Sequence, residues 1–272
     1  EGLLGSSQKP THPLTERNTR PLGLMIRASP LLLWRSPKLR CVGGMAVLVL
    51  WLAGLAGASA PVHAGDNQWT TTNGPPGLVY AVALDPANTG ILYAGTSTAG
   101  VFKSTDGGLS WDSKSQGLHT SAVFSLVLDP TRPDTLYAGT NLGVYRSDDG
   151  ALTWVRASSG ILADPFGSSY IYTLAIDPLH PATVYAGSLL GIFKSQDGGQ
   201  TWQEKNNGLR IGVRPSVETL ALDPQNTNIL YAGAGYSGQS GTLFKSQDGG
   251  ESWAPLTVGL SNAMISSIAV SP

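Results

Sequence analysis

The chain has 272 residues, carries 17 Lys and Arg against 18 Asp and Glu, and contains four histidines and one cysteine, too few cysteines for a disulfide framework. The net charge of −1 hides a division, because residues 1 to 64 carry seven Lys and Arg against two Glu while residues 65 to 272 carry ten against sixteen. The second part is acidic and argues against a nucleic-acid partner, which would favour a basic face.

Residue 1 is Glu, and Met25 is a candidate start. From Met25 the basic residues Arg27, Arg35, Lys38 and Arg40 precede an apolar run over residues 42 to 60, and Val62-His63-Ala64 supplies small residues for cleavage before Gly65. The pattern predicts a secretory signal and an exported protein, periplasmic or extracellular, or lumenal in a photosynthetic host. An uncleaved membrane anchor is the alternative, since 19 apolar residues nearly span a bilayer. Cys41 precedes the apolar run, where a lipoprotein cysteine would follow it, and residues 65 to 272 contain no cysteine. Residues 67 to 74, with Trp69, read as the last strand of a sheet.

A repeat begins after that strand. Val79 to Leu84 is rich in β-branched and aromatic residues and stops at Asp85-Pro86, a turn pair. Ile91 to Gly95 reads as a second strand, Val101 to Ser104 as a third, and the segment opening at Trp111 as a fourth. The same order returns three times. The aspartates Asp85, Asp129, Asp177 and Asp223 are spaced by 44, 48 and 46 residues, and Tyr93, Tyr137, Tyr185 and Tyr231 give the same intervals. Four short strands in each of these units predict an all-β propeller rather than a solenoid, with helices nearly absent. The expected blades are residues 78–116, 121–159, 170–208 and 216–258, with partial strands at 67–74 and 264–272. That is about four complete blades of a truncated ring, in which an N-terminal strand would complete the last blade.

Between the third and fourth strands of each unit stands S-x-D-x-G-x-x-W. Its copies are Ser104, Asp106 and Trp111; Ser147, Asp149 and Trp154; Ser195, Asp197 and Trp202; and Ser246, Asp248 and Trp253. In the second copy Ala151 replaces a glycine. A short Asp side chain in such a turn accepts backbone N–H groups, glycines permit positive φ, and Trp supplies an apolar lid. These residues are expected to be structural. Asp148 and Asp149 faintly suggest a calcium loop, but the further oxygen ligands are missing. Lys103, Arg146, Lys194 and Lys245 recur just before the motif serine, so a scaffold role such as solvating a strand edge is expected.

Four copies of this motif in register give residues 68 to 272 a resemblance to the Asp-box, or BNR-repeat, propellers. That group includes sialidases, xyloglucanase-type hydrolases, sortilin-type receptors and photosystem II assembly factors. The resemblance implies the fold and leaves function open. A sialidase would need an arginine triad, a Tyr-Glu pair and an Arg-Ile-Pro signature. Of the five arginines in residues 65 to 272, only Arg156, Arg210 and Arg214 lie outside repeat or turn positions, and the signature is absent. A xyloglucanase-type hydrolase needs paired acids, for which Glu218 and Asp164 are the candidates.

Strand order puts the Asp-Pro and motif turns on one rim and the blade-to-blade loops on the other. The second rim varies, and variable loops on a rigid frame are where binding concentrates. Three enlarged loops there carry Asp164, Phe166 and Tyr170, then Arg210 and Arg214, then Tyr236. Tyr170, Arg210, Arg214 and Tyr236 are the ligand or partner candidates. The second residue of each first strand is Tyr80, Phe124, Tyr172, Glu218 and then Ser266, so a carboxylate breaks an aromatic series. It would serve as a buried proton donor or as the ion-pair partner of Arg214. His119 and His180 are too few for zinc, and no glycine-rich phosphate loop opens a helix. The resulting expectation is a non-enzymatic exported scaffold that binds a protein or carbohydrate, with no cofactor, no metal and membrane contact only through the N-terminal segment. The alternative is a glycoside hydrolase or a fragment of one.

Overall fold

A computed structural model of the chain describes residues 24–29, 74–209, 215–235, 241–256 and 264–271. Among these residues there are eighteen strands and no helix. Strand β1 (Leu24–Ser29) precedes the four-stranded sheets in the chain. The first sheet comprises β2 (Val79–Leu84), β3 (Leu92–Thr96), β4 (Val101–Ser104) and β5 (Asp112–Ser113). The second comprises β6 (Val123–Asp129), β7 (Arg132–Thr140), β8 (Gly143–Ser147) and β9 (Val155–Arg156). The third comprises β10 (Ile171–Ile176), β11 (Val184–Ser188), β12 (Gly191–Ser195) and β13 (Gln203–Glu204). The fourth comprises β14 (Ser216–Leu222), β15 (Leu230–Gly235), β16 (Thr242–Ser246) and β17 (Ala254–Leu256), and β18 (Met264–Val270) follows it.

Each sheet is an antiparallel meander in sequence order, and the first strands β2, β6, β10, β14 and β18 neighbour one another from sheet to sheet. The chain is therefore an all-β propeller whose blades meet along their inner strands. Its apolar cores lie between blades. Tyr93 and Val101 of the first sheet pack with Val123, Leu126 and Trp154 of the second, and equivalent sets join the second to the third and the third to the fourth. Leu243 of the fourth sheet packs on Ile265 and Ile268 of β18.

The Tyr-Ala-Gly sequence of each second strand explains this close stacking. A Cβ on Gly187 would come within 2.9 Å of Val217 Cγ1 and 3.0 Å of its carbonyl oxygen, and one on Gly139 would meet Ile171 Cγ2 at 2.9 Å. Only glycine lets the next inner strand approach so far.

The motif tryptophans do more than cover their own hairpins. Trp154, Trp202 and Trp253 donate their indole N–H groups to the preceding blade, at Lys114, Ala157 and Lys205 carbonyls, over 2.8 to 3.0 Å. Their backbone N–H groups donate to Gln116, Ser159 and Asn207 of that same blade. Within the first blade, Trp111 donates to its own Gly108 carbonyl at 3.1 Å.

The recurring cations also serve the blade interfaces, contrary to the expectation of a solvated edge. Lys103 donates to the Gly150 carbonyl, Arg146 to Gly198 and Lys194 to Gly249, each in the turn of the next blade. Each lies over a tyrosine of its own blade, 5.1 to 5.7 Å from the ring centroid. The Tyr137 and Tyr185 hydroxyls donate to the same Gly198 and Gly249 carbonyls. Burial is the main reason the Tyr93 hydroxyl is pushed up to about 12, with the Asp134 and Asp85 charges adding to it. A long side chain beside a strand edge is drawn inward here because a buried carbonyl needs a donor.

Leu24–Ser29 falls within the segment read as a signal or anchor, yet it pairs antiparallel with β18 from Leu24 opposite Val270 to Ser29 opposite Met264. It occupies beside β18 the slot that β3 occupies beside β2. An open strand edge pairs readily with an extended segment of suitable register. The apolar run 42–60 and residues 67–73 lie outside the described residues. Among the described residues, no helix is long and apolar enough to cross a membrane.

Candidate functional site

The motif turns are closed hydrogen-bond systems. Asp197 Oδ1 accepts from the Thr201 backbone N–H and the Ser195 hydroxyl, and its Oδ2 accepts from the Thr201 hydroxyl. The Gly199 N–H donates to Ser195 Oγ at 2.8 Å. Asp106, Asp149 and Asp248 have the same partners at equivalent positions. The Ser110 and Thr201 hydroxyls are the main cause that holds Asp106 and Asp197 at about 2. For Asp248 burial pulls upward most, yet the Ser252 and Ser246 bonds together still hold it at about 2. Ala151 adopts φ of 70°, the conformation its three glycine counterparts supply without a Cβ.

Asp148, half of the calcium candidate, receives two bonds from the Arg146 guanidinium at 3.0 and 2.7 Å and one from Thr135. Asp149 is engaged by Ser147 and Thr153. Among the described residues no group of three His, Cys, Asp or Glu is placed to hold a metal.

The opposite rim is built around a shared backbone irregularity. In the first sheet Val79 pairs with Thr96 and Ala81 with Gly95, which leaves Tyr80 unpaired in a bulge. The bulge returns at Phe124, Tyr172 and Glu218, and the β1–β18 ladder likewise skips Ser266. Such bulges bend a strand and re-aim the extra side chain. The re-aimed side chains form a row across blades. Tyr80 stacks on Phe124 at 5.7 Å, Phe124 lies 5.9 Å from Tyr172, and Tyr170 sits 6.0 Å from both Phe124 and Tyr172.

None of these residues belongs to the apolar cores between blades. Tyr80 is 49% exposed, and Phe124, Tyr170, Tyr172 and Glu218 are half-buried. Glu218 occupies the next place along the row. Burial raises its carboxyl above the ordinary carboxylate range. Burial also raises the Tyr172 hydroxyl, and the nearby Glu218 charge adds to it.

The nominated residues thus divide. Tyr170 packs on Tyr172, and Glu218 stands at the equivalent bulge position of the next inner strand. Asp164 closes its own loop, since its Oδ1 accepts from the Phe166 and Ser168 backbone N–H groups at 2.9 and 2.8 Å. Arg210, Arg214 and Tyr236 lie outside the described residues. Tyr80, Phe124 and Tyr172 were legible as a repeating aromatic position but not as one contiguous surface, because a bulge leaves no mark in a single strand's composition.

No family profile matches the chain, and no curated protein matches it. Among solved structures, an ancestral GH74 enzyme superposes with a TM-score of 0.56 at 24% identity, covering 71% of this chain and 26% of that one. The extracellular domain of a candidate one-component system from B. thetaiotaomicron superposes with a TM-score of 0.56 at 16% identity, covering 75% of this chain and 27% of that one. YCF48 from Cyanidioschyzon merolae gives a TM-score of 0.45 at 16% identity, over 65% of this chain and 55% of that one. The match therefore spans about a quarter of each of the first two proteins. At these identities the likeness concerns the propeller fold.

Proposed function

We propose that the chain is an exported, non-enzymatic propeller scaffold that binds a protein or a glycan through the rim opposite the motif turns. The observation that carries this reading is the bulged row of Tyr80, Phe124, Tyr172 and Glu218, joined by Tyr170 and left out of every core between blades. Large aromatics that add nothing to blade packing, placed on a rigid frame, are suited to contact a ligand. The motif turns, with their carboxylates saturated internally, form the frame.

Glycoside hydrolysis remains the second reading, favoured by one observation: Glu218 is a half-buried acid whose proton is held more tightly than usual. A hydrolase needs a second carboxylate at a defined separation, and Asp164 is engaged in its turn. The test is sugar release from xyloglucan and sialoside substrates by the purified protein and by Glu218→Gln. The scaffold reading expects no release above the blank from either. Release by the parent that disappears in Glu218→Gln would overturn it.

Export rests on the basic-then-apolar pattern before Gly65. Mass analysis of the exported protein is expected to show a chain beginning near Gly65, so that Leu24–Ser29 pairs with β18 only in the unprocessed chain, and an intact N terminus on cytoplasmic protein would contradict export.

A further inference from the structure

Where the repeat places an aromatic on the fourth inner strand, this chain has Glu218, next in the row after Tyr172. No Lys, Arg or His among the described residues forms an ion pair with it. Residues 65 to 272 carry ten Lys and Arg against sixteen Asp and Glu, so the domain as a whole attracts cations. We infer that Glu218, with the rings of Tyr170 and Tyr172, receives the basic side chain of a protein partner, an arginine or a lysine. This deepens the scaffold reading and rests on it.

Two features favour a cation over a sugar. Glu218 adds a carboxylate at the end of a row whose last rings, Tyr170 and Tyr172, are inclined by only 19° with centroids 6.0 Å apart. A guanidinium can pair with the carboxylate and lie against a ring at once, whereas a neutral pyranose brings no charge to pair. The molecule itself uses the same pairing elsewhere. Lys103, Arg146, Lys194 and Lys245 each lie 5.1 to 5.7 Å from the ring centroid of a tyrosine. A half-buried carboxylate also gains more from a cation than an exposed one does, because burial weakens its competing hydration.

The test is fluorescence anisotropy of a labelled hexaarginine peptide with the full chain, and of a labelled cellohexaose in parallel. The parent is expected to bind the peptide, and Glu218→Gln to weaken it by about tenfold, as loss of a partly buried charge pair implies. Tyr172→Leu should weaken it by about threefold, the share of one cation–π contact. Asp112→Asn, an exposed acid on β5, should change it by less than about twofold, since surface charge is screened. Glu218→Lys gives a second variant at the site, and thermal unfolding reports whether each variant is folded.

Equal losses in Asp112→Asn and Glu218→Gln would reduce the effect to general attraction and overturn the inference. So would absence of peptide binding, or cellohexaose binding with the same dependence on Glu218 and Tyr172. Peptide binding that appears only in Arg214→Ala would show that the chain supplies its own cation, and would also overturn it. Failure to bind the peptide without sugar release removes this inference alone. Sugar release lost in Glu218→Gln removes the scaffold reading with it.

Discussion

Lys194 lies over the ring of Tyr185, 5.6 Å from its centroid, and the two side chains converge on one acceptor, the Gly249 carbonyl of the next blade. Lys194 also reaches Glu251 at 3.0 Å, and Glu251 in turn holds Lys205. The fourth blade is thereby clasped to the third by groups about fifty residues apart in sequence. Lys194→Met should lower unfolding stability in urea by about 2 kcal/mol, and Tyr185→Phe by about 1 kcal/mol, as one charged and one neutral hydrogen bond imply. Additive losses in the double variant would contradict a shared clasp.

The tryptophans should rank by what they reach. Trp202 is buried and bonded both to its own Gly199 and to Ala157 of the preceding blade, whereas Trp111 is half-buried and, among the described residues, bonded to its own turn. Trp202→Ala is expected to cost about 4 kcal/mol and Trp111→Ala about half of that, read from chemical denaturation. Equal costs would count against the interblade role.

Glycine substitutions separate backbone strain from collision. Gly107 has φ of 74° with nothing within 4 Å of an added Cβ, so Gly107→Ala should cost about 1 kcal/mol. Gly208 has φ of 86°, and its Cβ would fall 2.0 Å from the Trp253 carbonyl oxygen. Gly208→Ala should therefore cost at least about 3 kcal/mol, strain and overpacking together. Comparable melting temperatures for the two variants would refute the close approach of the blades.

Acid should loosen the turns. Asp197 and Asp248 are held at about 2, below their ordinary 3.8, so what their ionised forms contribute is complete above the ordinary value. That contribution fades as pH falls from about 4 towards 2. Glu218 acts in the opposite sense. Its raised proton affinity favours the folded state at acid pH, and the favour is lost as pH rises through the folded value. Melting temperature against pH should thus fall on the acid side less steeply in Asp197→Asn than in the parent. Glu218→Gln should gain relative to the parent towards neutrality.

Much of the frame was legible in the residues. Val79–Leu84 and Val101–Ser104 form strands over the spans their composition and turn signals predict. The second strand of that sheet starts one residue later, at Leu92, because Ile91 is held in the Asp85 turn by bonds to Asp85 and Asn88. The partners of Lys194 and Trp202 were not legible, since a lysine before a serine looks like any solvated lysine until the next blade brings a buried carbonyl to it. Glu218 could be singled out because the repeat provides its own comparison. Its place at the end of an aromatic row depends on four bulges, and a bulge is a property of two paired strands.

Repeated positions hold the blades together, while the row on the opposite rim lies outside the cores between blades. The most direct measurement is urea unfolding of Lys194→Met, Tyr185→Phe, Glu218→Gln and Tyr172→Leu in parallel. The first two are expected to lose stability as stated. Glu218→Gln should be neutral or stabilising, and Tyr172→Leu should lose less than about 1 kcal/mol, because a half-buried ring outside the cores contributes little on folding. Losses at Glu218 and Tyr172 equal to those at the clasp would make the row part of the frame and contradict the account.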